Sequence, residues 1–181
     1  MRYLRSILIP VYKKFFLLVL LIGCSGEPDD LLVIYRDNWC AYPPVFPSKL
    51  NEYRMTQLSY KGIIIHYSGF SNSLSPREIQ VYHLTKLGYA DINYHYLIDN
   101  HGVIYEGRDL VYKAEKFPAY EKYIHICCIS DMKFHHRGWL GKKQRSALAR
   151  LIINLTNKYD IDSKYIKYFD STGYEYVNFT K

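Results

Sequence analysis

The sequence predicts an α/β domain, with a central mixed β-sheet flanked by helices, and three observations lead there. Short β-branched runs such as Ile63-Ile64-Ile65-His66 have the composition of buried strands. Residues 142–159 place apolar side chains at 147, 148, 151, 152 and 155, the spacing of one helical face. Strand-like and helix-like segments alternate along the chain, the order expected of a sheet covered by helices.

The chain has 181 residues, 49% of them apolar, which suits one domain with a substantial core. Residues 1–23 read as an export signal. Arg2, Arg5, Lys13 and Lys14 precede the apolar run from Phe15 to Ile22, which is too short to span a bilayer. Leu21-Ile22-Gly23-Cys24 resembles a bacterial lipobox, so Cys24 is the expected lipidation site and the protein is expected as a membrane-anchored lipoprotein, on the periplasmic face or the cell surface. Residues 24–32 then form a polar tether and 33–181 the folded domain. Net charge is +7, but the leader contributes four of the basic residues and no acid, leaving 20 basic against 17 acidic residues. That balance argues against a nucleic-acid partner. Twenty tyrosines suit a sugar- or peptide-binding surface, and coding bias would account for them equally well.

Within the domain, Leu31–Tyr35 is an apolar run, and the prolines at 43, 44 and 47 predict an extended loop over 42–60. Ile63–His66 is a strand. Ser75-Pro76-Arg77-Glu78 is a helix start with Ser as N-cap, Pro in the first turn and Glu at the third position. Ile79, Tyr82, His83, Lys86 and Leu87 are expected on one face, with Gly88 as the stop. Tyr94–Ile98 and Val103–Glu106 flank the turn residues 99–102 and predict a hairpin. Tyr123–Ser130 is a further strand, and 142–159 the long helix. Cys127 and Cys128, as strand neighbours, face opposite sides. Pairing of Cys40 with one of them and burial of free thiols both remain open.

Arg36–Pro44, Ile63–Gly69, Gln80–His83 with Gly88–Ile98, and Gly102–Arg108 are four segments that, in this order, resemble the type 2 N-acetylmuramoyl-L-alanine amidase and peptidoglycan-recognition family. Arg36-Asp37-Asn38-Trp39-Cys40-Ala41-Tyr42-Pro43-Pro44 is similar to its N-terminal motif, with Cys40 where Gly is usual. Ile63-Ile64-Ile65-His66-Tyr67-Ser68-Gly69 is similar to the strand carrying its first zinc ligand. Gln80 to His83 and Gly88 to Ile98 resemble its helix–strand segment, with Asn93 in a Gly place. Gly102-Val103-Ile104-Tyr105-Glu106-Gly107-Arg108 resembles the hairpin return.

The resemblance implies a groove that binds the peptidoglycan stem, with peptidoglycan or muropeptide as partner, and in active members a Zn2+ ion that hydrolyses the amide between N-acetylmuramic acid and L-alanine. Zinc lowers the pKa of a bound water and polarises the carbonyl, which an amide needs at neutral pH. On this sequence it places His66 as first metal ligand, Tyr94 as the active-site tyrosine, and Trp39, His83 and Arg108 against substrate. The later part of the chain departs from the pattern. Tyr168 or Phe169 stands where a ligand His is expected, no His follows His136 and no Cys follows Cys128. Asp170 and Glu175 are the oxygen donors in the correct region, Asp170 being the second expected ligand. The mid-domain Gly-Ala-His segment becomes Lys113-Ala114-Glu115. The expectation is therefore a peptidoglycan-directed, amidase-like protein. Its alternatives are a lipid-anchored peptidoglycan-binding protein without turnover and a surface adaptor or immunity-type protein.

Overall fold

The computed structural model describes residues 31–69, 74–130, 140–169 and 175–176. The expected signal segment, Cys24, most of the tether, His135, His136 and Asp170 lie outside the described residues. The described part belongs to one compact unit that begins at Leu31.

Among the described residues seven strands form one mixed sheet: β1 Val33–Ile34, β2 Gly62–Tyr67, β3 Tyr96–Ile98, β4 Ile104–Glu106, β5 Tyr123–Cys128, β6 Ile166–Phe169 and β7 Glu175–Tyr176. Their order across the sheet is β1-β4-β3-β5-β2-β6-β7. β2 lies between β5 and β6 and is parallel to both, so it is buried on two faces and reads as a continuous apolar run. The expected hairpin is β3 and β4. The Asp99 carboxylate accepts from the backbone N–H of His101 and Val103 at its turn, and Gly102 takes the positive φ of 80° there.

Among the described residues three α-helices accompany the sheet: α1 Pro47–Glu52, α2 Pro76–Thr85 and α3 Lys142–Tyr159. α3 has the extent that its spacing predicts. It buries Ala147, Leu148, Leu151 and Leu155 against Ile63, Ile65, Ile124, Ile126 and Cys128. Gln144 is buried with them because its amide donates to the carbonyls of Ile98 and Ile129, at 2.9 and 3.2 Å. On the opposite face Ile79 packs with Ile92, Leu97, Cys127 and Ile129. Cys127 and Cys128 thus face opposite layers, and Cys40, Cys127 and Cys128 are all free thiols.

Two local expectations need correction. The region 42–60 is not wholly extended: Pro47 opens the short helix α1, since its fixed φ and missing N–H suit the first helical turn. In α2 the buried face is Ile79, Gln80, His83 and Leu84, while Tyr82, Lys86 and Leu87 are exposed. The reason is Gln80, a polar residue that belongs inside because Asp91 and the backbone of Tyr42 satisfy its amide. The start and stop of α2 are as expected. Ser75 and Glu78 cap each other reciprocally. Gly88 has φ 66°, and Tyr89 N–H donates back to the His83 carbonyl at 3.0 Å.

Candidate functional site around His66

β2 presents His66 on the face opposite α3, where it is only 1% exposed. Its Nε2 lies 2.8 Å from Nδ1 of His125 on the neighbouring β5. The Nε2 of His125 lies 3.2 Å from the Tyr120 carbonyl, which can only accept. The network therefore assigns the proton of His125 to Nε2, makes its Nδ1 the acceptor, and makes His66 the donor through Nε2, with its lone pair on Nδ1. His95 follows the same pattern: Nδ1 accepts from the His125 N–H at 2.9 Å and Nε2 donates to the Tyr112 carbonyl. In His83, Nδ1 accepts from the Asn93 N–H at 3.0 Å, so the proton again sits on Nε2.

Burial is the largest cause holding all four imidazoles neutral. It pushes His66 well below the ordinary imidazole range, helped by repulsion from His125 and Lys116. It brings His125 to about 3, with His95 adding to the effect, and His83 to about 3, with Arg108 adding. His95 falls to about 4 even though its bond to Tyr112 pulls the other way.

Ring contacts join these groups into one wall. Phe117 stacks on His66 at 4.9 Å between centroids and on His125 at 5.7 Å. Tyr94 stands 5.3 Å from His66 and 5.3 Å from His83, and Tyr89 closes the row 5.5 Å from His83. The structure thus brings His66, Tyr94 and His83 together. The Tyr94 hydroxyl is held by Cys127, and burial keeps that phenol well above its ordinary pKa, so it is protonated at any physiological pH.

A polar frame fixes this wall from behind. Asn93 is buried, and its side-chain oxygen accepts from Glu115 N–H at 2.6 Å while its own N–H orients His83. Arg108, expected against substrate, is 0% exposed and points inward. It donates to the carbonyls of Ile92, Lys113 and Asp91 and to the Glu115 carboxylate at 2.6 Å. Its place is structural: it ties the 91–93 segment to the 113–115 loop. The Gly107 before it has no room for a Cβ, because the Tyr94 carbonyl occupies that space. Arg36 clamps the N-terminal motif to the same frame through the Asp91 carboxylate and the Gly107 carbonyl. Trp39 is half-buried, its indole N–H donating to the Glu106 carbonyl at 2.9 Å. Cys40, in the family's Gly place, adopts φ 56° and ψ 45°, the left-handed conformation that explains why Gly is usual there.

Zinc needs three protein ligands. Among the described residues no three His, Cys, Asp or Glu side chains converge as such a set. Tyr168, one occupant of the expected His place, pairs with Ile65 on β2 and packs into the α3-side core, the face away from His66. Asp170 lies outside the described residues. The described donors do not fit zinc.

The sequence motifs do not single out His125 or Phe117. The alternation of Tyr123–Cys128 marks His125 as facing one side of a strand, but only the parallel register of β5 on β2 brings it to His66. Phe117 lies in a loop with no periodic signal.

Residues 56–172 match the family model Amidase_2, described as N-acetylmuramoyl-L-alanine amidase. Among curated proteins no sequence match was found. The fold is similar to that of Drosophila peptidoglycan recognition protein SD, at 21% identity and TM-score 0.64 over 78% of this chain and 83% of that one. Drosophila PGRP-LB is similar at 26% identity and TM-score 0.62, over 77% and 81% of the two chains. A point mutant of PGRP-LB, solved in complex with tracheal cytotoxin, matches at 26% identity and TM-score 0.62, over 76% and 81%.

Proposed function

The chain belongs to the N-acetylmuramoyl-L-alanine amidase family, and from that premise we propose that it binds muropeptide against the His66–Tyr94–His83 wall while anchored to a membrane through Cys24. The observation that carries this reading is the continuous row of rings, each about 5 Å from the next. Aromatic and imidazole faces cover the apolar faces of sugars and peptides while keeping polar edges for orientation. His83 supplies such an edge through its Nε2–H: the residue is 4% exposed and its tautomer is fixed by Asn93. Amide carbonyls and carboxylates of a peptide stem are the acceptors it suits. The neighbour solved with tracheal cytotoxin supports the same ligand class. The anchor is supported by the placement of Cys24 one residue beyond the apolar run, after Gly23.

His83→Leu removes that donor. The variant is expected to bind soluble muropeptides about tenfold more weakly by calorimetry, the worth of one hydrogen bond to a ligand. Wild-type protein that fails to sediment with insoluble sacculi would count against the reading altogether.

Hydrolysis of the muramoyl–alanine amide is the second reading. It is favoured by the family's activity and by His66 in the place of its first zinc ligand. It requires donors beyond the described residues, Asp170 foremost. One equivalent of zinc in the wild-type protein, lost in His66→Ala, would support it.

A further inference from the structure

The amino ends of β5, β2 and β6 surround a cavity of about 610 Å3, which shares with the His66 wall only the segment of Tyr120, whose carbonyl bonds His125. Volumes of this order are those of small-molecule sites. Three of its lysines immediately precede or cap these parallel strands: Lys61 before β2, Lys122 before β5 and Lys164 before β6. Lys167, inside β6, is the fourth. Lys61 is five residues from His66 along β2, about 16 Å at the rise of a strand.

The cavity has a built aromatic lining. Tyr120 and Tyr123 meet edge to face at 5.2 Å. Gly62 lets the lining close onto the strand, because a Cβ there would strike both the Tyr123 ring and the Tyr165 carbonyl. The ammonium groups ride on the ring faces. Lys61 and Lys164 lie 5.3 and 5.0 Å from the centroid of Tyr165, and Lys167 lies 5.7 Å from that of Tyr120. Two cations sharing one ring are within about 10 Å of each other, roughly one Debye length at moderate salt.

Carboxylates offset only part of this charge. Asp162 pairs with Lys164 at 2.7 Å, and Glu121 on the cavity wall is already paired with Lys113 at 2.7 Å. Among the described residues Lys61 and Lys122 make no direct salt bridge, and Lys122 shares the field of Glu121 with Lys113. Folding therefore gathers like charges around a concave, aromatic-lined space, and an anion entering it relieves their repulsion.

We propose that this cavity binds a small molecule carrying two or more phosphate groups. Lysine ammonium groups are point-charge partners for phosphate, and several around one cavity favour a multiply charged ligand over a single anion. The lysines ring a cavity and do not run along a face, which sets this site apart from a track for extended nucleic acid. The site is independent of the muropeptide reading.

The test is calorimetric titration of the full chain with sodium tripolyphosphate and, separately, inorganic phosphate, at low and at physiological salt. Tripolyphosphate should bind saturably, more tightly than phosphate, and more weakly as salt rises. The double variant Lys61→Glu, Lys122→Glu should lose about tenfold or more in affinity, as two charge-assisted contacts are removed. Lys142→Glu, Lys143→Glu makes the same charge change at the exposed start of α3 and should leave affinity unchanged. Absence of saturable binding, equal affinity for the two probes, or equal weakening in both double variants would overturn the proposal.

Discussion

Arg108→Ala is expected to cost the fold about 3–5 kcal/mol, the range for breaking a buried ion pair by removing one partner. That is a large share of the stability of a domain this size. Three losses add in the same direction. Glu115 keeps a buried charge without its 2.6 Å partner, leaving Lys49 at 3.4 Å as the remaining cation. The carbonyls of Asp91, Ile92 and Lys113 lose their donor. The space of the side chain is left empty in a fully buried place. Arg108→Lys should recover little, since an ammonium group cannot reproduce a fork that serves four acceptors in fixed directions. Urea unfolding monitored by circular dichroism reads the effect. A midpoint within a few tenths of the wild-type stability would show that the frame behind the site does not depend on this residue.

Acidification is expected to destabilise the domain well before its carboxylates protonate. His66, His83, His95 and His125 all have folded pKa values below that of the unfolded chain, mainly through burial. Below the unfolded value of about 6.5, the unfolded state binds protons that the folded state refuses. Stability is therefore complete above about pH 6.5 and falls as pH drops toward the folded values near 3 to 4. Each histidine contributes up to about 1.4 kcal/mol per pH unit in that window. Four together give a slope of roughly 5 kcal/mol per unit, which should bring unfolding near pH 5. Thermal melts from about pH 7.5 down to about pH 5 should show a steep fall in Tm. Exposed His101 serves as control, and His101→Gln should leave the slope intact. A flat Tm across the window would mean that these imidazoles are not held neutral by the fold.

Much of this architecture can be read from the chain itself. α3 is legible because apolar residues at regular helical spacing face a sheet, and α2 because its Ser75–Glu78 box and Gly88 mark both ends chemically. β2 is legible because burial on two faces favours a continuous apolar run, here Ile63-Ile64-Ile65. α1 is hidden, since Pro47 serves a helix start and an extended loop equally well. Spacing misplaces the face of α2 because the inward place of Gln80 depends on Asp91 and Tyr42, distant partners that periodicity cannot report.

The candidate site is legible in the residues that the fold gathers and less so in their partners. Motifs lead to His66, Tyr94 and His83, which the fold assembles. The same motifs lead to Arg108, whose inward turn follows from Glu115 in the 113–115 loop, a pairing set by long-range geometry. His125 depends on strand register, which no local pattern encodes. The chemistry of Asp170 and Glu175 belongs to a stretch whose donors lie outside the described side chains.

The most direct test of the central claim is a nitrogen-15 NMR titration of histidine-labelled protein with a defined muropeptide. The imidazole nitrogens report tautomer and contact at each ring separately. The account predicts saturable shifts at His83 Nε2 and at His66, with exposed His101 unmoved. Saturation that leaves His66 and His83 unchanged, or no shift at any imidazole, would contradict it.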